Sequence, residues 1–164
     1  MAQYKDTIIQ KYLDLISDNT TGIKGFFNGI VGKIPEAQLP AVIIDIERTE
    51  VDEFSNDEDV HRVELIVIYV ADIRRSFEEA SSVVAGLNNV KEVLVGRNAN
   101  YTLKDTSILD ILRSNLNIDS ANNLRTDVGG FSVVTPTEVA TGRFPGLHSA
   151  EGNIRFTAHF VQER

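Results

Sequence analysis

The chain has 164 residues, of which 42% are hydrophobic, and 24 acidic against 16 basic side chains give it a formal net charge of −8. This length suits one domain, residues 1–164, with one sizeable core. The acidic balance argues against an outward-facing nucleic-acid-binding surface, which needs clustered lysine and arginine. Cysteine is absent, which excludes disulfides and cysteine-ligated metal sites.

Neither export nor membrane insertion is indicated by the hydropathy of the chain. No apolar signal core follows a basic start, and no run approaches the roughly 20 apolar residues of a membrane span. We therefore expect a protein without a membrane partner, made in the cytoplasm.

The first half of the chain predicts a helix and two strong strands. Residues 4–16 place apolar side chains at helical spacing, and residues 22–32, with four glycines, indicate a short, loose helical turn. Residues 41–46 and 63–70 are apolar runs typical of strands, the first of them buried on both faces. The acidic residues 47–59 between them predict a charged connection, far longer than a tight hairpin needs.

The second half predicts helices followed by strands. A capping box formed by Ser76 and Glu79 starts a helical pattern that continues to Leu94, as one helix or two. A second, shorter helix begins after Thr106 and Ser107, and residues 115–127 are polar and rich in turn formers.

The C-terminal third of the sequence predicts β-strands. Residues 131–139 are rich in β-branched side chains but contain Pro136, residues 141–152 predict a loop, and residues 154–161 alternate between apolar and mostly polar. The predicted fold class is α+β: an antiparallel β-sheet of about four main strands with helices packed on one face. The order is helix-strand-strand-helix(-helix)-strand-strand.

Familiar catalytic and metal-binding motifs do not fit. Residues 29–33 lack the first glycine of a phosphate loop, where Phe27 stands, and Ile34 replaces its Ser or Thr. Residues 52–59 are acidic like a calcium loop, but Asp57 occupies the position that requires glycine. His61 beside these acids does not complete a transition-metal site. The sequence therefore predicts no catalytic residue, no metal and no cofactor.

The layout of the chain resembles the tail terminator, or tail completion, proteins of long-tailed bacteriophages, the lambda-type family. An N-terminal amphipathic helix leads into a loose glycine- and phenylalanine-containing segment, and an acidic connection separates two strands before a central helix. The stretches that carry the resemblance are residues 25–35, Leu-Pro-Ala-Val-Ile-Ile at 39–44, His-Arg-Val-Glu-Leu-Ile-Val at 61–67, and the glycine-introduced last strand at 152–160. The resemblance covers nearly the whole chain as an architecture, and residues 98–127 fit it least.

The resemblance implies a structural virion protein without enzymatic activity. Such proteins form a ring, usually a homo-hexamer, that caps the tail tube protein, ends its polymerisation and offers a surface to the head-tail connector or stopper protein. DNA passes through the ring without sequence recognition. The implied location is the head-proximal end of the tail in the virion, after assembly in the host cytoplasm.

Two groups of residues are candidates for contacts under this interpretation. The acids of the connection are candidate contact or channel-lining residues: Asp52, Glu53, Asp57, Glu58 and Asp59. Polar residues on the predicted strands are candidate subunit-interface residues: Arg62, Glu64, Arg155 and His159. Both groups are also compatible with ordinary solvent-facing positions.

Two alternatives stay open at this point. The protein could be another head-tail neck component, of the stopper or head-completion type. It could also be a small-molecule-binding or enzymatic α+β domain, because sites formed by residues distant in sequence are hidden from sequence order.

Overall fold

The structure is a computed structural model that describes residues 4–31, 34–53, 55–72, 80–136 and 149–163. The helices in these ranges are α1 (Tyr4–Asn19), α2 (Ala80–Val95) and α3 (Ile108–Ser114). The strands are β1 (Gly25–Asn28), β2 (Ala41–Glu53), β3 (Glu58–Asp72), β4 (Asn117–Asp119), β5 (Leu124–Thr126), β6 (Ser132–Val134) and β7 (Ser149–Glu163). Short 3-10 turns occupy Glu36–Gln38 and Ser120–Asn122.

The described strands form one mixed sheet in the order β1-β2-β3-β7-β5-β4, and β6 also pairs with β7. Strands β1 and β2 are parallel, whereas the other pairs are antiparallel. The α+β class is thus confirmed, but the expectation of about four antiparallel strands is wrong. Four of the strands have only three or four residues each, too few to show a periodic pattern in the sequence.

The main hydrophobic core lies between one face of the sheet and the three described helices. Helix α1 buries Ile9, Tyr12 and Ile16 there, while α2 and α3 add apolar side chains of their own to the same cluster. The sheet contributes alternating residues of β3 and β7, such as Val63 and Phe156. The predicted placement of the helices on one face therefore holds for the described residues.

A smaller core covers the opposite face of the same sheet. Ile43 of β2 and Ile68 of β3 pack there against Ile34 and Leu39, which flank the first 3-10 turn. All residues from Ala41 to Ile44 are fully buried, so the expectation that β2 begins buried on both faces is confirmed.

The predicted helices are present, but some of them begin or end at residues other than those predicted. Helix α1 continues to Asn19, and α3 begins after Ser107, whose hydroxyl accepts a hydrogen bond of 3.3 Å from the backbone N–H of Asp110. Helix α2 runs without a break to Val95, which settles the choice between one helix and two for this stretch. The proposed capping box at Ser76 and Glu79 lies outside the described residues.

Two predicted segments in the first half of the chain are wrong, and in the second half residues 149–152, predicted as part of a loop, begin strand β7. Residues 22–32 contain strand β1 and not a helical turn, because Gly25 to Asn28 pair with Ala41 to Ile44. Residues 47–59 are mostly strand: β2 reaches Glu53 and β3 begins at Glu58, so only residues 54–57 join them. At Ile46 to Arg48 the register shifts, which makes Glu47 a β-bulge.

Candidate interaction surface

A three-stranded extension of the sheet projects past the main core. We call it the arm; it consists of residues 47–53 of β2, 58–62 of β3 and 159–163 of β7. Strand pairs continue to Glu53 opposite Asp59 on one side and to Glu58 opposite Glu163 on the other. Every residue of β2 from Glu47 to Glu53 is exposed. The β2 strand of the arm is therefore ordered by backbone pairing, whereas residues 58–61 and 159–161 on the other two strands are half-buried.

The five predicted contact acids gather at the outer end of the arm. Asp52 and Glu53 end β2, Asp57 lies in the connection, and Glu58 and Asp59 begin β3. The first three are exposed and the last two are half-buried. The structure thus brings together all five, although as a strand end and not as the long loop that was expected.

Like charges face each other across the strands of the arm. Glu53 is paired with Asp59, and Glu58 is paired with Glu163. Carboxylates directly opposite one another disfavour strand pairing unless other contacts offset them. A cation within reach is Arg62, whose Nη1 lies 3.4 Å from Oδ2 of Asp52. This end of the arm is suited to meeting a basic partner or to repelling phosphates.

The four predicted interface residues share the sheet face that is turned away from the helices. Arg62 is opposite His159, Glu64 is opposite Thr157, and Arg155 is opposite Ile66. Three of them have ionic or hydrogen-bonded partners within the chain. Arg62 contacts Asp52, Arg155 contacts Glu47 through Nε and Nη2, and the His159 imidazole contacts Asp127.

These pairs form a ladder of charges on an exposed surface. The Arg155–Glu47 pair has an N–O distance of 3.1 Å, with both side chains more than a third exposed. Exposed ion pairs of this kind contribute between 0 and about 1 kcal/mol each. Glu64 is exposed and has no ion pair with any described residue. The ladder orients the side chains of the arm without adding much to its stability.

A groove beside the arm was missed by sequence reasoning. Its volume is about 660 Å³, and it lies between α1, the end of β7 and the 3-10 turn that precedes β5. Apolar lining comes from Ile8, Leu124 and Phe160. The Phe160 ring stacks on His61 with ring centroids 4.7 Å apart and an angle of 5° between the planes. The alternation of β7 places Phe160 on the apolar face, but nothing in the sequence indicates that it lines a groove together with α1.

The polar rim of the groove is fixed by local contacts. The amide of Asn122 donates a 2.7 Å hydrogen bond to Asp119, and Nζ of Lys11 lies 3.6 Å from the same carboxylate. The Asn122 hydrogen bond, with help from Lys11, lowers the pKa of Asp119. This carboxylate is therefore held in its charged form at the rim.

Two kinds of feature are absent from the described residues: clusters of metal-ligating side chains and membrane-spanning helices. In the ranges that the structure describes, no three His, Asp or Glu side chains are grouped so that they could hold a metal ion. None of the described helices combines the length and the apolar character needed to cross a membrane.

Comparisons with known proteins leave the family open. No protein-family model matches the chain, and no curated protein is similar to it. One solved structure, whose name states no function, is 13% identical over 99% of this chain and 96% of the other, with a TM-score of 0.40. A likeness at this level carries no conclusion about fold or function.

Proposed function

We propose that this protein is a tail-terminator-like structural protein of a long-tailed bacteriophage. Copies of it form a ring, most simply a hexamer, that sits on the last ring of tail tube protein and stops its polymerisation. The opposite face of the ring meets a head-tail connector or stopper protein, and DNA passes through the central hole.

The observation that carries this proposal is the arm. It extends the sheet past the core, exposes every β2 residue from Glu47 to Glu53, and ends in a cluster of carboxylates. Exposed strands are normally kept short, because their free backbone groups invite other chains. A long exposed strand pair is therefore best explained as a surface that contacts other subunits.

The charge of the chain supports the proposed passage of DNA. Each copy carries a formal charge of −8, so six copies around one hole give a strongly negative ring. Carboxylates facing the hole repel the DNA phosphates, which keeps the DNA from adhering while it moves. Asp52, Glu53, Asp57, Glu58 and Asp59 are the proposed lining or contact residues.

A neck protein of the stopper type is the second candidate, since an acidic ring would serve it equally well. The two are separated by adding the purified protein to polymerising cognate tail tube protein. A terminator shortens the tubes and is seen at one tube end by negative-stain electron microscopy, whereas a stopper leaves tube length unchanged. A protein that remains monomeric and leaves the tubes unaffected contradicts the proposal.

A further inference from the structure

The arm has two outer edges, one on β2 and one on β7. Nearer the core, β1 pairs with the β2 edge and β5 with the β7 edge, but both edges continue beyond these partners. Strand β1 pairs with β2 only from Ala41 to Ile44. Strand β5 pairs with β7 only at Ala158 and His159. No strand among the described residues pairs with the outer edge of residues 45–52 or with that of residues 161–163. Backbone groups on such edges are the usual docking site for an added strand.

The two edges differ in charge. This difference favours pairing of a β2 edge with a β7 edge over pairing of two β2 edges. Residues 45–52 of the β2 edge carry four acids and one base, Arg48, and the acids have ion pairs within the chain: Asp45 with Lys5, Glu47 with Arg155, Glu50 with Arg48 and Asp52 with Arg62. Two β2 edges brought together would oppose these acids with a second set, and like charges across a strand pair are destabilising. The β7 edge is mixed instead: Arg125 lies beside His159 on the neighbouring strand, and Lys11 lines the groove with Asp119 and Glu163.

The two edges also complement each other in shape. Val51 on the β2 edge is a large apolar side chain that is 55% exposed. The groove with its apolar lining of Ile8, Leu124 and Phe160 lies along the β7 edge. Val51, His61 and Phe160 occupy one cross-strand row on the helix-facing side. An exposed valine at one edge and an apolar groove at the other allow one copy to dock on the next.

We infer that copies of this chain associate head to tail through the arm. Residues 50–52 of one copy add as a short strand to the outer edge of residues 161–163 of the next, beyond the part of β7 that β5 covers, and Val51 enters the neighbour's groove. Because β2 and β7 are both antiparallel to β3, they run in the same direction, and the added strand is parallel to β7. Such an interface uses two different surfaces and closes into a ring when the rotation between copies permits. This inference rests on the proposed function, for which it supplies the subunit interface.

The absence of cysteine in the chain makes a clean cross-linking experiment feasible. Val51→Cys and Gln162→Cys are introduced into separate chains, which are mixed and treated with a short bis-maleimide. Each chain has one thiol, so a cross-link can form only between copies, although β2 and β7 of one chain are about 10 Å apart. We expect cross-linked dimers in the mixture and few with either variant alone.

A matched control uses Val134, a strand valine that is 49% exposed and lies away from the arm on β6. Val134→Cys mixed with Gln162→Cys should give no dimer. Val51→Lys should weaken self-association about tenfold or more, because a lysine would enter an apolar groove, while Val134→Lys should change it less than about twofold. Self-association is measured by analytical ultracentrifugation or native mass spectrometry.

The outcomes separate this inference from the proposed function. If micrographs show rings but Val51→Cys and Gln162→Cys do not cross-link, the inferred interface is overturned, whereas the proposed ring is still supported. Dimers in the Val51→Cys sample alone indicate pairing of two β2 edges and also overturn it. Cross-linked rings that do not shorten tail tubes support the interface and contradict the terminator. Monomers at every soluble concentration, without cross-links, contradict the inference.

Discussion

Gly152 of β7 lies directly beneath Leu94 of α2. A Cβ atom on Gly152 would overlap Cδ1 of Leu94 and lie only 3.0 Å from Cγ1 of Val90. The glycine thus permits the close approach of the helix to the centre of the sheet. Because Leu94 and Val90 are fully buried, they have little room to move away.

We expect Gly152→Ala to lower the free energy of unfolding by about 1–3 kcal/mol, as overpacking in a core does. Gly129→Ala is the control, since nothing lies within 4 Å of a Cβ at that position. It should change stability by no more than about 0.5 kcal/mol. Urea denaturation followed by circular dichroism measures both, and equal stabilities for the two variants would contradict the packing argument.

A second prediction concerns the hydrogen bond between the hydroxyls of Tyr12 and Thr126, which are 2.6 Å apart in the core. Thr126→Val leaves the Tyr12 hydroxyl without its partner, and we expect a loss of about 1–3 kcal/mol. Adding Tyr12→Phe to this variant should cost less than the same change in the wild type. Additive effects in this double-mutant cycle would show that the hydroxyls do not interact.

Stability should fall steeply in alkaline solution. Burial raises the pKa of Tyr69 to about 12 from the ordinary value of 10.0, and burial also raises the pKa of Tyr12. A raised pKa in the folded state stabilises the fold fully below pH 10 and progressively less as the pH rises from 10 towards the folded value. Each tyrosine should therefore remove about 1.4 kcal/mol per pH unit in this window.

Urea denaturation at several pH values between 9 and 12, together with tyrosinate absorbance, measures this loss. In Tyr69→Phe the part of the slope due to Tyr69 should disappear, while the part due to Tyr12 remains. A slope that is the same in the variant and the wild type would mean that Tyr69 ionises equally well in the folded state.

Neutralising the acids of the arm should separate folding from assembly. The variant carries Asp52→Asn, Glu53→Gln, Asp57→Asn, Glu58→Gln and Asp59→Asn. The ion pair of Asp52 with Arg62 is exposed and contributes at most about 1 kcal/mol, so the monomer should stay folded with a stability near that of the wild type. Tail joining or DNA passage, measured by complementation of infectivity, should be impaired.

The control for this experiment removes charge elsewhere. Asp18 and Asp105 are exposed and lie outside the arm, so Asp18→Asn with Asp105→Asn tests the effect of lost charge alone. It is compared with the double variant Asp52→Asn and Asp57→Asn. If both doubles assemble like the wild type, and the fivefold variant does too, the carboxylates have no part in the mechanism.

The strong periodic segments were predictable from sequence. Spacing in residues 4–16 indicated α1, and the alternation of residues 154–161 assigned the correct faces of β7 around Phe156. Ser107 was predicted as part of a helix start and is the N-cap of α3. In each case the local pattern and the tertiary contacts favour the same structure.

Short or charged strands were not predictable. Strand β1 has four residues and exists because Gly25 to Asn28 pair with β2, a contact between segments distant in sequence. The acidic residues of the arm suggested a loop, since charges are usual there. Pairing with β3 and β7 outweighs that local preference. The groove at Phe160 depends on three separate segments, and no single stretch of sequence encodes it.

The bulge at Glu47 lets the direction of the arm vary independently of the core. Ile46 pairs with Leu65 before it and Arg48 with Glu64 after it, so removing Glu47 would keep every later pair in place. The strand would lose its local bend and extra twist, and Arg155 would lose its ion pair with Glu47. Deletion of Glu47 would thus change the angle between the arm and the core. The diameter of any ring that these copies form would change as a result.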